Sequence, residues 1–308
     1  MLILIELPTW LGDTVMTTPS IENLRTEFPD AKFSFIGPQS SIAVFKNSPN
    51  LNKTFIIKKD ILNLIRGALN IEYHDIFISF RSSFRSSILK LFINAEKKIK
   101  YNKNKFLCGH QVERYNYFVS RVLKSHIEPK ELKIYLKSNK DFKKPANVGI
   151  NPGAKYGSAK RWIKDGFIKV AYELSKTHNI ILFGSAGEED LCNDIKNSLD
   201  DLGVKNCNNL AGKTSLDELI DEISKLKLFI TGDSGPMHIA AAFQIPTVSI
   251  FGPTKANETS QWMNNRSSII KKDLNCQPCM KRVCPLGHHD CMKKITSKDV
   301  INSALSLI

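Results

Sequence analysis

The chain has 308 residues, with 44 Lys and Arg against 30 Asp and Glu, a formal charge of +14. Twice the usual domain length points to two domains, and a hydrophobic content of 42% is that of a globular protein rather than a disordered one. No apolar run approaches the ~18 residues of a membrane span, and the positive balance favours anionic partners: nucleic acid, an anionic membrane face or phosphorylated substrates.

Taken in order, Leu2–Leu7 reads as a buried strand. The apolar start, MLILIELPTW, lacks a basic leader and a cleavage site, so a cytosolic location is expected. Asp13–Phe28 reads as a helix, Lys32–Ile36 and Ile76–Phe80 as strands, and Gln111–Leu123 as a helix. Lysines concentrate in Lys97–Lys105 and Lys137–Lys144, neither with the interleaved aromatics of a nucleic-acid module. Lys143–Ala146 is a plausible linker, after which the alternation restarts. Strand Val148–Asn151, helix Lys164–His178, strand Ile180–Gly184 and helix Glu188–Leu199 follow, then helix Leu216–Ser224. The strand Leu228–Thr231 leads to a small-residue helix, Met237–Phe243, and a strand, Thr247–Phe251. Ser297–Ile308 closes as a helix. Such alternation predicts α/β architecture: two Rossmann-like domains, 1–145 and 146–308, with parallel sheets facing a cleft that binds ligand at the strand C-termini.

The densest chemistry lies in ITGDSGPMHIAAAFQIPTVSIFGP, residues 230 to 253. A strand ends in Gly232-Asp233-Ser234-Gly235-Pro236, where Ser234 or Asp233 can cap the next helix and Pro236 suits its first turn. Free N–H groups at that helix start suit a diphosphate. Asn151 to Trp162, with Lys155, Lys160 and Arg161 around a glycine-rich loop, suits phosphate as well. Glu188 follows a strand, where an acid accepts from ribose hydroxyls or merely complements a helix dipole. Asp13, just after the first strand, is open to the same two readings, helix-start acid or general base. His238, alone in its helix, is more often structural than catalytic. The G-x-G-x-x-G fingerprint and the Walker pattern are both absent. Cys276, Cys279, Cys284 and Cys291 begin with zinc-ligand spacing but continue with wider gaps, so a structural zinc and reduced thiols in a packed loop both stay open.

As a set these residues resemble the ADP-heptose:lipopolysaccharide heptosyltransferases, family 9 of the glycosyltransferases. The resemblance is carried by LPTWLGDTVMTTPSIENLRTEFPDAKFSFIGP, NPGAKYGSAKRW, FGSAGEED, NLAGKTSLDEL and GDSGPMHIAAAFQIPTVSIFGPT. CQPCMKRVCPLGHHDCM looks like the version in the branch that adds the second heptose. The resemblance implies a GT-B fold and inverting transfer of L-glycero-D-manno-heptose from ADP-heptose to the first heptose of the inner core, on heptosyl-Kdo2-lipid A. It implies no required cofactor, an acceptor-binding first domain, and a donor-binding second domain. By the same likeness Asp13 is the general base and Lys160 binds the donor diphosphate. Asp233 lies near heptose and diphosphate, Ser234 and Gly235 supply N–H contacts, and His238 lines the pocket. Glu188 meets the ribose, and Thr214 the nucleoside. Lys155 and Tyr156 depart from the pattern of the first-heptose branch, and their roles stay open. The expected partners are ADP-heptose, the core acceptor and the anionic inner face of the inner membrane, with no nucleic acid. The alternatives are a first- or third-heptose enzyme, or a non-enzymatic nucleotide- or nucleic-acid-binding α/β protein.

Overall fold

The computed structural model describes residues 1–57, 60–106, 109–137 and 146–308. It divides into two compact units, Met1–Asn139 and Lys140–Ile308. Apart from Ala146, the expected linker lies outside the described residues, as does the lysine stretch beyond Lys137.

Unit 1 is a five-stranded sheet of β1 (Leu2–Glu6), β2 (Lys32–Gly37), β3 (Leu51–Ile56), β4 (His74–Ser79) and β5 (Ala95–Lys100). The strands run parallel in the order β3-β2-β1-β4-β5. β1, β2 and β4 are the expected ones, because a central parallel strand is covered on both faces and reads as a continuous apolar run. β3 and β5 are edge strands with half-exposed sequences, LNKTFI and AEKKIK, which hide the strand signal. The lysines of β5 lie on the sheet's edge, where they discourage pairing with another chain.

The expected helix Asp13–Phe28 is two helices, Leu11–Met16 and Thr18–Glu27. Pro19 has no N–H to continue the ladder and crowds the carbonyl of Val15. That carbonyl accepts instead from Thr18 Oγ1 at 2.7 Å. Three further helices, Gln39–Phe45, Ile61–Leu69 and Phe84–Phe92, complete the alternation and are not among those expected.

Unit 2 holds six parallel strands: β6 (Asn147–Asn151), β7 (Asn179–Leu182), β8 (Cys207–Asn209), β9 (Leu228–Gly232), β10 (Thr247–Ile250) and β11 (Ser267–Ile270). Their order is β11-β10-β9-β6-β7-β8. The chain winds from β6 outward to β8, then returns to the far side of β6 as β9. The switch point of the fold therefore falls between β6 and β9. In unit 1 the corresponding point falls between β1 and β4. The core of unit 2 joins Val148, Ile150, Leu182, Ile230 and Val248 of the sheet to Phe167, Ile195, Met292 and Val300 of the covering segments. The α/β class and two Rossmann-like sheets match the expectation, and β8 and β11 are short edge strands that it lacked.

Candidate active site

In unit 2, β9 delivers Asp233 and β6 delivers the loop Pro152–Lys160 to the same switch point. Asp233 is 8% exposed, and its Oδ2 accepts from Lys160 Nζ at 2.5 Å and from Thr254 Oγ1 at 2.6 Å. Thr254, which follows β10, is a site residue that the sequence reading did not single out. The signal for it was local, since it closes the Gly252-Pro253-Thr254 turn at the next strand's C-terminus. A buried carboxylate costs free energy unless paired, and here one ammonium and one hydroxyl satisfy it.

The helix Gly235–Ala242 begins beside this pair, with Pro236 in its first turn. No side chain caps it, a departure from the expected capping by Ser234 or Asp233. Ser234 Oγ instead meets Thr231 Oγ1 at 2.9 Å, and Asp233 is held by Lys160 and Thr254. The helix thus presents its first-turn N–H groups and positive dipole end without a hydrogen bond from its N-cap side chain. His238 lies within this helix and is buried.

Farther along the same sheet edge, Glu188 Oε2 accepts from Ser185 N and Ser185 Oγ, both at 2.8 Å, in a capping box. The helix-start reading of Glu188 is therefore a structural fact. Its other oxygen faces the β6 loop: a Cβ on Gly153 would lie 2.0 Å from Oε1, so any side chain there would displace the Glu188 carboxyl. Gly212 N donates to Gly184 O at 3.0 Å, which docks the turn before Thr214 against the turn before Glu188. Lys160, Glu188, Thr214, Asp233, Ser234, Gly235 and His238 thus all belong to the C-terminal side of one sheet.

The cysteine segment packs behind the β6 loop. Tyr156 OH donates to Met280 O at 2.9 Å, and Ala159 N donates to Arg282 O at 3.0 Å. His289 Nε2 and Ala159 O are 3.0 Å apart. Cys276, Cys279, Cys284 and Cys291 line a cavity of about 20 Å³ together with Ala159, His288 and His289. Of the two readings left open for this segment, the structural zinc finds no support, since among the described residues no three His, Cys, Asp or Glu side chains are grouped to hold a metal ion. The four are free thiols, as are Cys192 and Cys207. Burial pushes the Cys291 thiol up, helped by the three neighbouring cysteines, whereas the N–H groups of His289, Leu286 and Gly287 draw Cys284 down. All four cysteines thus line one small cavity against the β6 loop.

In unit 1, Asp13 sits in the first turn of Leu11–Met16. The turn before it is pinned by Thr14 Oγ1 and Ser41 Oγ, which donate to Pro8 O at 3.2 and 2.6 Å. Asp13 lies close enough to Tyr115 and Tyr101 for its charge to raise both phenols, although burial is the larger cause. At the switch point of this sheet, Glu6 is 1% exposed and its Oε2 accepts from the hydroxyls of Ser79 and Ser86. Arg81 Nη1 stands 3.4 Å from Glu6 Oε1. Burial raises the Glu6 carboxyl above its ordinary value, against the pull of those hydroxyls and of Arg81 and Lys100. This group escaped the sequence reading because Glu6 ends an apolar strand and its partners are about 73 to 80 residues away. A hollow of about 510 Å³ also opens in unit 1, lined by Lys105, Phe106, Arg114 and Tyr117 among others. Tyr101 stacks on Phe106 at 5.3 Å, linking that hollow to the tyrosines near Asp13.

Residues 62–289 match the profile of glycosyltransferase family 9 (heptosyltransferase). The chain is 40% identical to lipooligosaccharide heptosyltransferase 2 of Campylobacter jejuni, over its full length and 98% of that relative. Among solved structures, E. coli ADP-heptose LPS heptosyltransferase II superposes with a TM-score of 0.81 at 22% identity, covering 100% of this chain and 98% of that one. An E. coli heptosyltransferase solved with ADP gives 0.79 at 14% identity, covering 100% of both chains. These likenesses give the fold as that of the GT-B heptosyltransferases. By its sequence, this chain belongs to glycosyltransferase family 9, the heptosyltransferases, and is a glycosyltransferase.

Proposed function

We propose that the chain transfers L-glycero-D-manno-heptose from ADP-heptose to the first heptose of the lipopolysaccharide inner core, inverting the anomeric carbon. The observation that carries this reading is the Lys160–Asp233–Thr254 group set at the uncapped start of helix Gly235–Ala242. Lys160 and the N–H groups of Ser234 and Gly235 would hold the donor diphosphate, Glu188 and Thr214 the nucleoside, and Asp233 and His238 the sugar side.

In this reading the acceptor hydroxyl attacks the anomeric carbon as Asp13 takes its proton. The bond from that carbon to the β-phosphate oxygen breaks, and its electron pair leaves with ADP. Charge grows on the departing diphosphate, where a half-buried ammonium and a helix N-terminus stabilise it without reorganising. The acceptor bears carboxylates and phosphates, for which Arg81, Arg114 and Lys105 of unit 1 are suitable partners.

The enzyme would work at the inner face of the inner membrane. Among the described residues no helix is long and apolar enough to cross a membrane. Unit 1 does expose Leu62 and Leu69 of one helix and Phe84 and Leu91 of its neighbour, with Arg66, Arg85 and Lys90 on the same helices. Apolar side chains flanked by cations suit an anionic bilayer surface.

The test is mass spectrometry of purified protein with ADP-heptose and heptosyl-Kdo2-lipid A, reading one added heptose. Asp13→Asn should lose ~10²–10⁴ in rate while keeping ADP affinity. Product only from Kdo2-lipid A would assign the chain to the first heptose instead, and no product from any core acceptor would defeat the reading.

A further inference from the structure

The tyrosine of the β6 loop is flanked by two cations. Lys160 Nζ lies 4.7 Å from the Tyr156 ring centroid, and Arg282 Cζ lies 5.4 Å from the same centroid. Like charges gathered on one ring repel each other, and the ring's negative face offsets only part of that repulsion. Lys160 also has the Asp233 carboxylate. Arg282 is exposed and has no ion-pair partner among the described residues. This cationic arrangement lacks one anion.

The placement of Arg282 is fixed by its backbone. Its carbonyl accepts from Ala159 N, one residue before Lys160. A Cβ on Gly157 would come 2.3 Å from that carbonyl oxygen and 2.9 Å from Arg282 Cβ, so loop and segment meet with no space between them. Tyr156 OH anchors the ring to Met280 O. Lys160 and Arg282 can therefore be no farther apart than the two ring distances combined. A diphosphate with a hydrogen bond at each end spans such a gap.

We propose that Arg282 is a second diphosphate-binding cation of the donor site, delivered by the cysteine segment, and that Tyr156 is the positioning residue holding Arg282 and Lys160 on one ring. The proposal rests on the reading of Lys160 as a diphosphate ligand. A guanidinium offers phosphate two parallel N–H donors where an ammonium offers a point charge, so the two cations are complementary rather than redundant. It also gives the segment a purpose beyond packing, namely to carry an arginine to the phosphate loop on a backbone that cannot swing away.

The test is competition of ADP and of adenosine against a fluorescent ADP analogue, on the full chain. Arg282→Ala should weaken ADP about tenfold and adenosine less than about twofold, a charge-assisted contact being worth that much. Arg282→Lys should recover part of the loss. Tyr156→Phe, which keeps the ring but loses its anchor on Met280, should lose less ADP affinity than Tyr156→Leu, which should resemble Arg282→Ala. Unchanged ADP affinity in Arg282→Ala, with Lys160→Ala weakened, would overturn this proposal and leave the donor site standing. Equal loss of ADP and adenosine would reduce Arg282 to a structural prop and also overturn it. If Lys160→Ala keeps its ADP affinity, the donor-site reading itself fails and takes Arg282 with it.

Discussion

Glu6 and Asp233 show how a buried carboxyl group serves opposite ends at two switch points. Asp233 is compensated by a full ammonium at 2.5 Å, whereas Glu6 relies on two hydroxyls and a guanidinium at 3.4 Å. Burial therefore wins at Glu6, and its carboxyl holds its proton to higher pH than the ordinary 4.5. As pH rises through 4.5 the unfolded chain releases this proton first, while the folded chain keeps it. Folding stability from this group is fully present below 4.5 and declines as pH climbs to the raised value. Glu6→Gln cannot titrate, so it escapes that decline. Measured by thermal melts from pH 4 upward, the variant's Tm relative to the parent should rise across this window and then level off. Parallel curves would mean that Glu6 is already ionised at its ordinary value.

At the scale of elements, the loops at the C-terminal ends of β6 and β9 depend on how tightly β6 is packed. Gly149, in the middle of β6, has no room for a methyl group: a Cβ would meet Leu226 Cδ1 at 2.5 Å, Phe229 Cδ2 at 2.8 Å and Phe183 Cε2 at 2.9 Å. Phe183 and Phe229 pack edge to face with centroids 6.0 Å apart, so neither ring yields without disturbing the other. Gly149→Ala should cost about 1–3 kcal/mol in urea unfolding, the usual penalty of an overfilled core. A neutral substitution would show that these rings shift freely. The uncapped helix Gly235–Ala242 points the other way: stability has been left unclaimed at its start, where Ser234 is the N-cap residue yet its hydroxyl turns to Thr231. Side-chain caps are worth about 1 kcal/mol, so an open terminus next to an ion pair is a feature suited to a ligand.

For the whole molecule, the +14 charge and the exposed leucines and phenylalanine of unit 1 suggest a surface-bound working state. The parent should sediment with vesicles containing anionic lipid, and less so as salt rises, since each nearby cation contributes about 1 kcal/mol at low screening. Leu62→Asp with Phe84→Asp should release it while leaving ADP binding in unit 2 unchanged; retention on the vesicles would place the membrane-facing surface elsewhere. The sequence alone determined the parallel α/β class, because buried central strands such as LILIE and LFITG read as apolar runs, and it located the loops that follow them. Glycine, cation and acid at the strand ends marked out the loops, while the family resemblance singled out Lys160 and Asp233 within them. Edge strands such as AEKKIK were illegible, because a half-exposed strand carries no continuous apolar signal. Only the tertiary structure could decide which side chains meet. Lys160 reaches Asp233 across 73 residues, Tyr156 reaches Met280 across 124, and Glu6 reaches Ser86 across 80. Sequence periodicity records the environment of a residue along its own element, whereas these pairs arise from strand order, which the chain settles only when its sheets assemble.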